Sequence, residues 1–93
     1  MSKYARKVDD NQSDIVAALR GAGQQVVLMH AVGGGFPDVI ACRHGQAHFI
    51  EIKSDKGRLT PAQKVFFEAW RGPPIHIVRS VDDALIAVGH VAK

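Results

Sequence analysis

The sequence of 93 residues contains a single cysteine, Cys42. One thiol excludes an intramolecular disulfide framework, and without a second cysteine a zinc site built on a CxxC pair is excluded too. No apolar run approaches the roughly 18 residues that would suggest a membrane span. The N-terminus sets Lys3, Arg6 and Lys7 ahead of Asp9 and Asp10, without the apolar stretch of a signal peptide. These absences lead to the expectation of a reduced, cytoplasmic protein with no membrane partner. Internal repeats and low-complexity tracts are also lacking. Charge of one sign is in small excess: lysine and arginine exceed aspartate and glutamate by 12 to 9, a net +3. That balance permits a nucleic-acid partner but does not demand one.

What is present is the composition of an ordinary soluble domain, 46% hydrophobic and 23% charged. Residues 1–10 are polar and of mixed charge and read as a flexible lead-in; residues 11–93 read as one domain. From Asn11, Ile15, Ala18 and Leu19 recur at helical spacing, with Gly21 placed as a C-terminal cap. Gln25 to His30 is a short branched apolar run typical of a buried strand, broken by Gly33-Gly34-Gly35-Phe36-Pro37. A strand over Asp38–Arg43, a turn at His44-Gly45 and a strand over Ala47–Ser54 form a hairpin. Thr60-Pro61-Ala62-Gln63 starts a second helix, with Thr60 as N-cap and Gln63 placed for a capping box. Val65, Phe66, Ala69 and Trp70 are its expected apolar stripe. Ile75–Arg79 is a fourth strand, and Ser80 caps a last helix running to about Val88. The order α-β-β-β-α-β-α, with tight turns early and a right-handed crossover later, predicts an α/β fold: a mixed four-stranded sheet flanked by helices.

Three residues carry the chemical signal. Side chains alternate along a strand, so Glu51 and Lys53 share one face. A turn centred on His44-Gly45 sets Asp38 roughly opposite Glu51. Two carboxylates so close repel unless a cation neutralises them, and hard oxygen ligands suit Mg²⁺ or Mn²⁺. A lysine beside such an ion can orient water or offset phosphate charge. Glu-x-Lys alone is common on solvated strands, but a sheet covered by helices on both faces gives these charges no solvent to face. Gly33, Gly34 and Gly35 would allow backbone or nucleic acid to approach closely.

Gly35-Phe36-Pro37-Asp38, twelve residues, then Glu51-Ile52-Lys53 closely resembles the PD-(D/E)XK nuclease signature, and within it the VRR-NUC branch, which includes small stand-alone phage proteins. The resemblance covers most of the chain: Asn11–Val16 is similar to the family's first helix, Ala31–Gly35 to its glycine turn, and Leu59–Gln63 to the start of its second helix. It implies a restriction-endonuclease-like αβββαβ(α) core and metal-dependent hydrolysis of DNA phosphodiester bonds by an activated water. Asp38 and Glu51 would be metal ligands, joined by the Ile52 carbonyl, and Lys53 would position the nucleophile. Asp14 stands where the family usually carries a glutamate that contacts metal through water. The shorter side chain is a departure, and an acid near a helix N-terminus has a structural use of its own. Gln63 matches a glutamine that faces the site, although the capping box alone would also account for it. Small members of the branch resemble Holliday-junction resolvases, which implies branched DNA as substrate, a homodimer, and host cytoplasm as location if the gene is phage-borne.

Lys56 and Arg58, in a loop close to Lys53, are expected to grip the phosphate backbone together with the Gly34-Gly35 turn. Cys42, His44 and His48 cluster in sequence but straddle the turn and lack a fourth ligand at metal-site spacing. The glycines lack the lysine and serine of a P-loop. Two rival readings remain: a non-catalytic nucleic-acid-binding module on the same fold, and a small α/β domain acting through protein contacts.

Overall fold

The computed structural model describes residues 10–90. The expected lead-in falls outside them, apart from Asp10. The elements are α1 (Asp10–Gly21), β1 (Gln25–Leu28), β2 (Val39–Arg43), β3 (Gln46–Ile52), α2 (Pro61–Ala69), β4 (Ile75–Val78) and α3 (Val81–Ala87). The sheet order is β1-β2-β3-β4, antiparallel except for the parallel pairing of β3 with β4. This is the expected mixed sheet, consistent with a restriction-endonuclease-like fold.

One face of the sheet holds the apolar core. Ile15, Val16 and Leu19 of α1 pack with Val26, Val39, Ala41, Ile50, Ile52 and Val78 of the four strands and with Ala84 of α3. The opposite face carries α2 through an aromatic cluster: Phe36 and Phe49 meet Phe66 and Trp70 at centroid distances of 5.3–6.3 Å. No residue of α2 is fully buried, so the second layer is thin.

Two local expectations are corrected. The cap of α1 is Gly23, not Gly21: Gly23 has φ +91, its N–H bonds the Arg20 carbonyl, and Gln24 N–H bonds the Leu19 carbonyl. That pairing closes a Schellman turn, which needs the left-handed residue just beyond the helix. Gly21 stays helical, and Arg43 reaches across to cap the Ala22 carbonyl at 2.7 Å. The apolar stripe of α2 is also displaced. Val65 is 68% exposed and Ala69 is exposed, while Phe66, Phe67 and Trp70 face inward with Gln63. The inward spacing 63, 66, 67, 70 is one helical face, and Val65 lies off it.

Candidate active site

The β2–β3 register pairs Val39 with Ile50, which sets Asp38 opposite Glu51 at the end of the hairpin. His44 (φ 54) and Gly45 (φ 78) make the two-residue turn that fixes this register. The Ile52 N–H donates to Asp38 Oδ2 at 2.8 Å, so the aspartate closes the ladder where the backbone of β2 ends. Lys53 N–H, one residue on, bonds the Val78 carbonyl of β4. Successive residues of a strand address opposite neighbours, so the Ile52 carbonyl lies on the Asp38 side. The Ile52 side chain is buried in the core.

Glu51 is 2% exposed. Its Oε2 accepts from Gln63 Nε2 at 2.7 Å and lies 3.4 Å from Lys53 Nζ. Its Oε1 is buried with no hydrogen-bond partner. Burial pushes the Glu51 carboxyl up to about 7, the negative charge of Asp38 adds to that, and Lys53 opposes it. An orphaned buried carboxylate oxygen beside a second carboxylate is a position that a cation would satisfy. Asp38, Glu51 Oε1 and the Ile52 carbonyl are hard oxygen donors of the kind Mg²⁺ and Mn²⁺ take, so the residues present fit such an ion.

Gln63 is the hub. Its Oε1 accepts from Lys53 Nζ at 2.8 Å and from Thr60 N–H at 2.9 Å, while Thr60 Oγ1 accepts from Gln63 N–H at 3.1 Å. The capping box that starts α2 also holds the Gln63 amide against Glu51 and Lys53. Gly35, with φ +89, lets α2 approach, since a Cβ there would lie 2.7 Å from the Ala62 carbonyl oxygen and 2.8 Å from Phe66 Cβ. Gly33 and Gly34 have open space at the same position.

Asp14 is exposed on α1. Among the described residues no three His, Cys, Asp or Glu side chains gather as a metal-binding group, so the structure does not bring Asp14 together with Asp38 and Glu51. Lys56 and Arg58 lie in the loop after Lys53, both exposed. Sequence reasoning missed Asn11, whose Nδ2 donates to the carbonyls of Lys53 (3.1 Å) and Arg79 (3.2 Å). It also missed Arg79. Only tertiary structure brings Asn11 to the ends of β3 and β4 and Arg79 to the loop that follows β3.

Compared with known protein families, the chain matches the VRR-NUC domain over residues 2–78. No curated protein and no solved structure gives a significant match. The matched span ends with β4, although α3 beyond it supplies Ala84 to the core. Among the described residues no helix is long and apolar enough to cross a membrane.

Proposed function

The chain belongs to the VRR-NUC domain family, a nuclease family, and from that premise we propose that it hydrolyses DNA phosphodiester bonds with Mg²⁺ or Mn²⁺ held by Asp38, Glu51 and the Ile52 carbonyl. The observation that carries this reading is the division of labour at Glu51. One oxygen is bonded by Gln63 beside Lys53, and the other is buried without a partner next to Asp38. A divalent ion bound there supplies Lewis-acid chemistry, acidifying water and offsetting charge on the phosphoryl oxygens.

The chain's own residues do the positioning. Asp38 is anchored through Oδ2 to the Ile52 N–H, which leaves Oδ1 outside that bond. Gln63 orients both neighbours, its N–H holding Glu51 and its carbonyl holding the Lys53 ammonium. Lys53, 13% exposed in its side chain, presents a positive charge at the edge of the carboxylate pair, where it can align the attacking water or meet a phosphate oxygen. Branched DNA, a junction or flap, is the preferred substrate in this reading, and two chains act as a dimer to span it.

The test is cleavage of end-labelled four-way junction, flap and linear duplex with Mg²⁺, Mn²⁺ or EDTA, beside Lys53→Ala. The expected result is metal-dependent cutting, strongest on branched DNA and lost in the variant. Binding of junction without cutting under every condition would replace this reading by a non-catalytic nucleic-acid-binding module.

A further inference from the structure

Beyond Lys53 the chain turns through residues 54–58 before α2, and this loop is fastened by one side chain. Nη1 of Arg79, the residue after β4, donates to the carbonyl oxygens of Ser54 at 2.6 Å, Gly57 at 2.8 Å and Asp55 at 3.3 Å. A guanidinium has five N–H donors in a planar fork. The two on Nη1 are taken by the loop, while those on Nε and Nη2 have no acceptor among the described residues. No carboxylate lies within ion-pair distance of Arg79 among those residues either, where Lys53–Glu51 is the one such pair. Arg79 is half-buried; the Asp83 carboxylate takes its backbone N–H at 2.9 Å, and the guanidinium, outside ion-pair distance of it, is held at a fixed position with free donors.

That charge faces a cleft of about 490 Å³, lined by Asp55, Lys56, Gly57, Arg58 and Arg79. Three cations stand against one carboxylate. The cleft adjoins the candidate active site: its loop leaves from Lys53, and a Cβ on Gly57 would lie 3.5 Å from Lys53 Cβ. Asn11 fixes the two flanks relative to each other, because one amide nitrogen bonds both the Lys53 and Arg79 carbonyls. A planar fork with free donors beside two exposed cations has the chemistry of phosphate recognition.

We infer that this cleft is a second phosphate-binding subsite, which takes a nucleic-acid backbone phosphate other than the scissile one on the Arg79 guanidinium, with Lys56 and Arg58 flanking it. The inference rests on the nuclease reading and adds where that substrate is held. Its consequence is register: one phosphate on Arg79 fixes which neighbouring phosphate lies at Asp38 and Glu51.

The test is binding of a fluorescent DNA duplex in EDTA across a salt series, with wild type, Arg79→Ala and Arg79→Lys. Arg79→Ala is expected to weaken binding about tenfold or more and to reduce the salt slope by about 1. Arg79→Lys should recover the slope but not the full affinity, because the charge returns without the fork. Since Arg79 also fastens the loop, a second readout uses the unaltered chain: the Arg79 side-chain ¹⁵N signal, followed on titration with duplex and separately with inorganic phosphate. Movement with duplex supports the subsite. Movement with inorganic phosphate alone would mark a simple anion site and overturn the assignment. If wild type cuts DNA while Arg79→Ala binds with unchanged affinity and slope, only this inference falls; if wild type neither binds nor cuts any DNA, the nuclease reading falls with it.

Discussion

Glu51 is held where its ionised form is disfavoured. Its ordinary value of 4.5 is pushed up to about 7, first by burial and then by Asp38. A carboxyl raised in this way stabilises the fold fully below about pH 4.5, and that contribution is lost as pH rises through 7. Glu51→Gln removes the titration while keeping the shape. Without metal, the variant should therefore melt higher than wild type near pH 8, by about 5 °C or more, and the gap should close as pH falls below the ordinary carboxyl range. Thermal melts in EDTA at several pH values check this, and equal melting curves near pH 8 would contradict the buried-charge account. At this scale the sequence was legible where strand alternation rules. Asp38 opposite Glu51, with Lys53 on the same face, follows from the position of one turn. The roles of Asn11 and Arg79 were not legible, because each acts on residues more than 20 positions away.

Among the elements, α2 is the one on which the site depends. Its first turn contains the capping box, and the same amide holds Glu51 and Lys53. Its seat is Gly35, where a side chain would need both a left-handed backbone and room taken by the Ala62 carbonyl and Phe66. Gly35→Ala should thus destabilise by roughly 1–3 kcal/mol and lower cleavage further than stability alone explains, since a shifted α2 carries Gln63 away from Lys53. Gly34→Ala meets left-handed strain but no collision and should be the milder change. Denaturant unfolding and cleavage rates for the pair check this; equal effects at both positions would refute the packing role of Gly35. The start of α2 was readable from Thr60-Pro61-Ala62-Gln63, because capping chemistry is local. Which face it buries was misjudged at Val65 and Ala69. On a helix with no fully buried residue, burial is decided by the few partners below it, Phe36 and Phe49, which sequence spacing does not reveal.

The whole molecule is asymmetric across its sheet. Every residue of the apolar core cluster lies on the α1 and α3 side, while exposed apolar side chains are found on both sides, Val27, Ile77 and Val65 with α2 and Leu28 and Ile86 with α1 and α3. The described residues carry one candidate site, and the proposed action on branched DNA calls for two. Light scattering at tens of micromolar is expected to give the mass of two chains, and a monomer mass would remove the dimer from the account. The fold was legible at this scale because element order and turn lengths restrict the topology to few choices. The thinness of the second layer was not, since composition reports how much is apolar and not how it is shared between two faces.

In the proposed reading, Asp38 and Glu51 form a metal-dependent hydrolytic site with Lys53 and Gln63. Its most direct test is cleavage of one end-labelled DNA substrate by protein stripped with EDTA, before and after Mg²⁺ or Mn²⁺ is restored, with Asp38→Asn alongside. No cutting by the stripped protein, recovery on adding metal, and none from the folded variant in either state are expected. Equal cutting by the variant, or cutting that persists in EDTA, would contradict it.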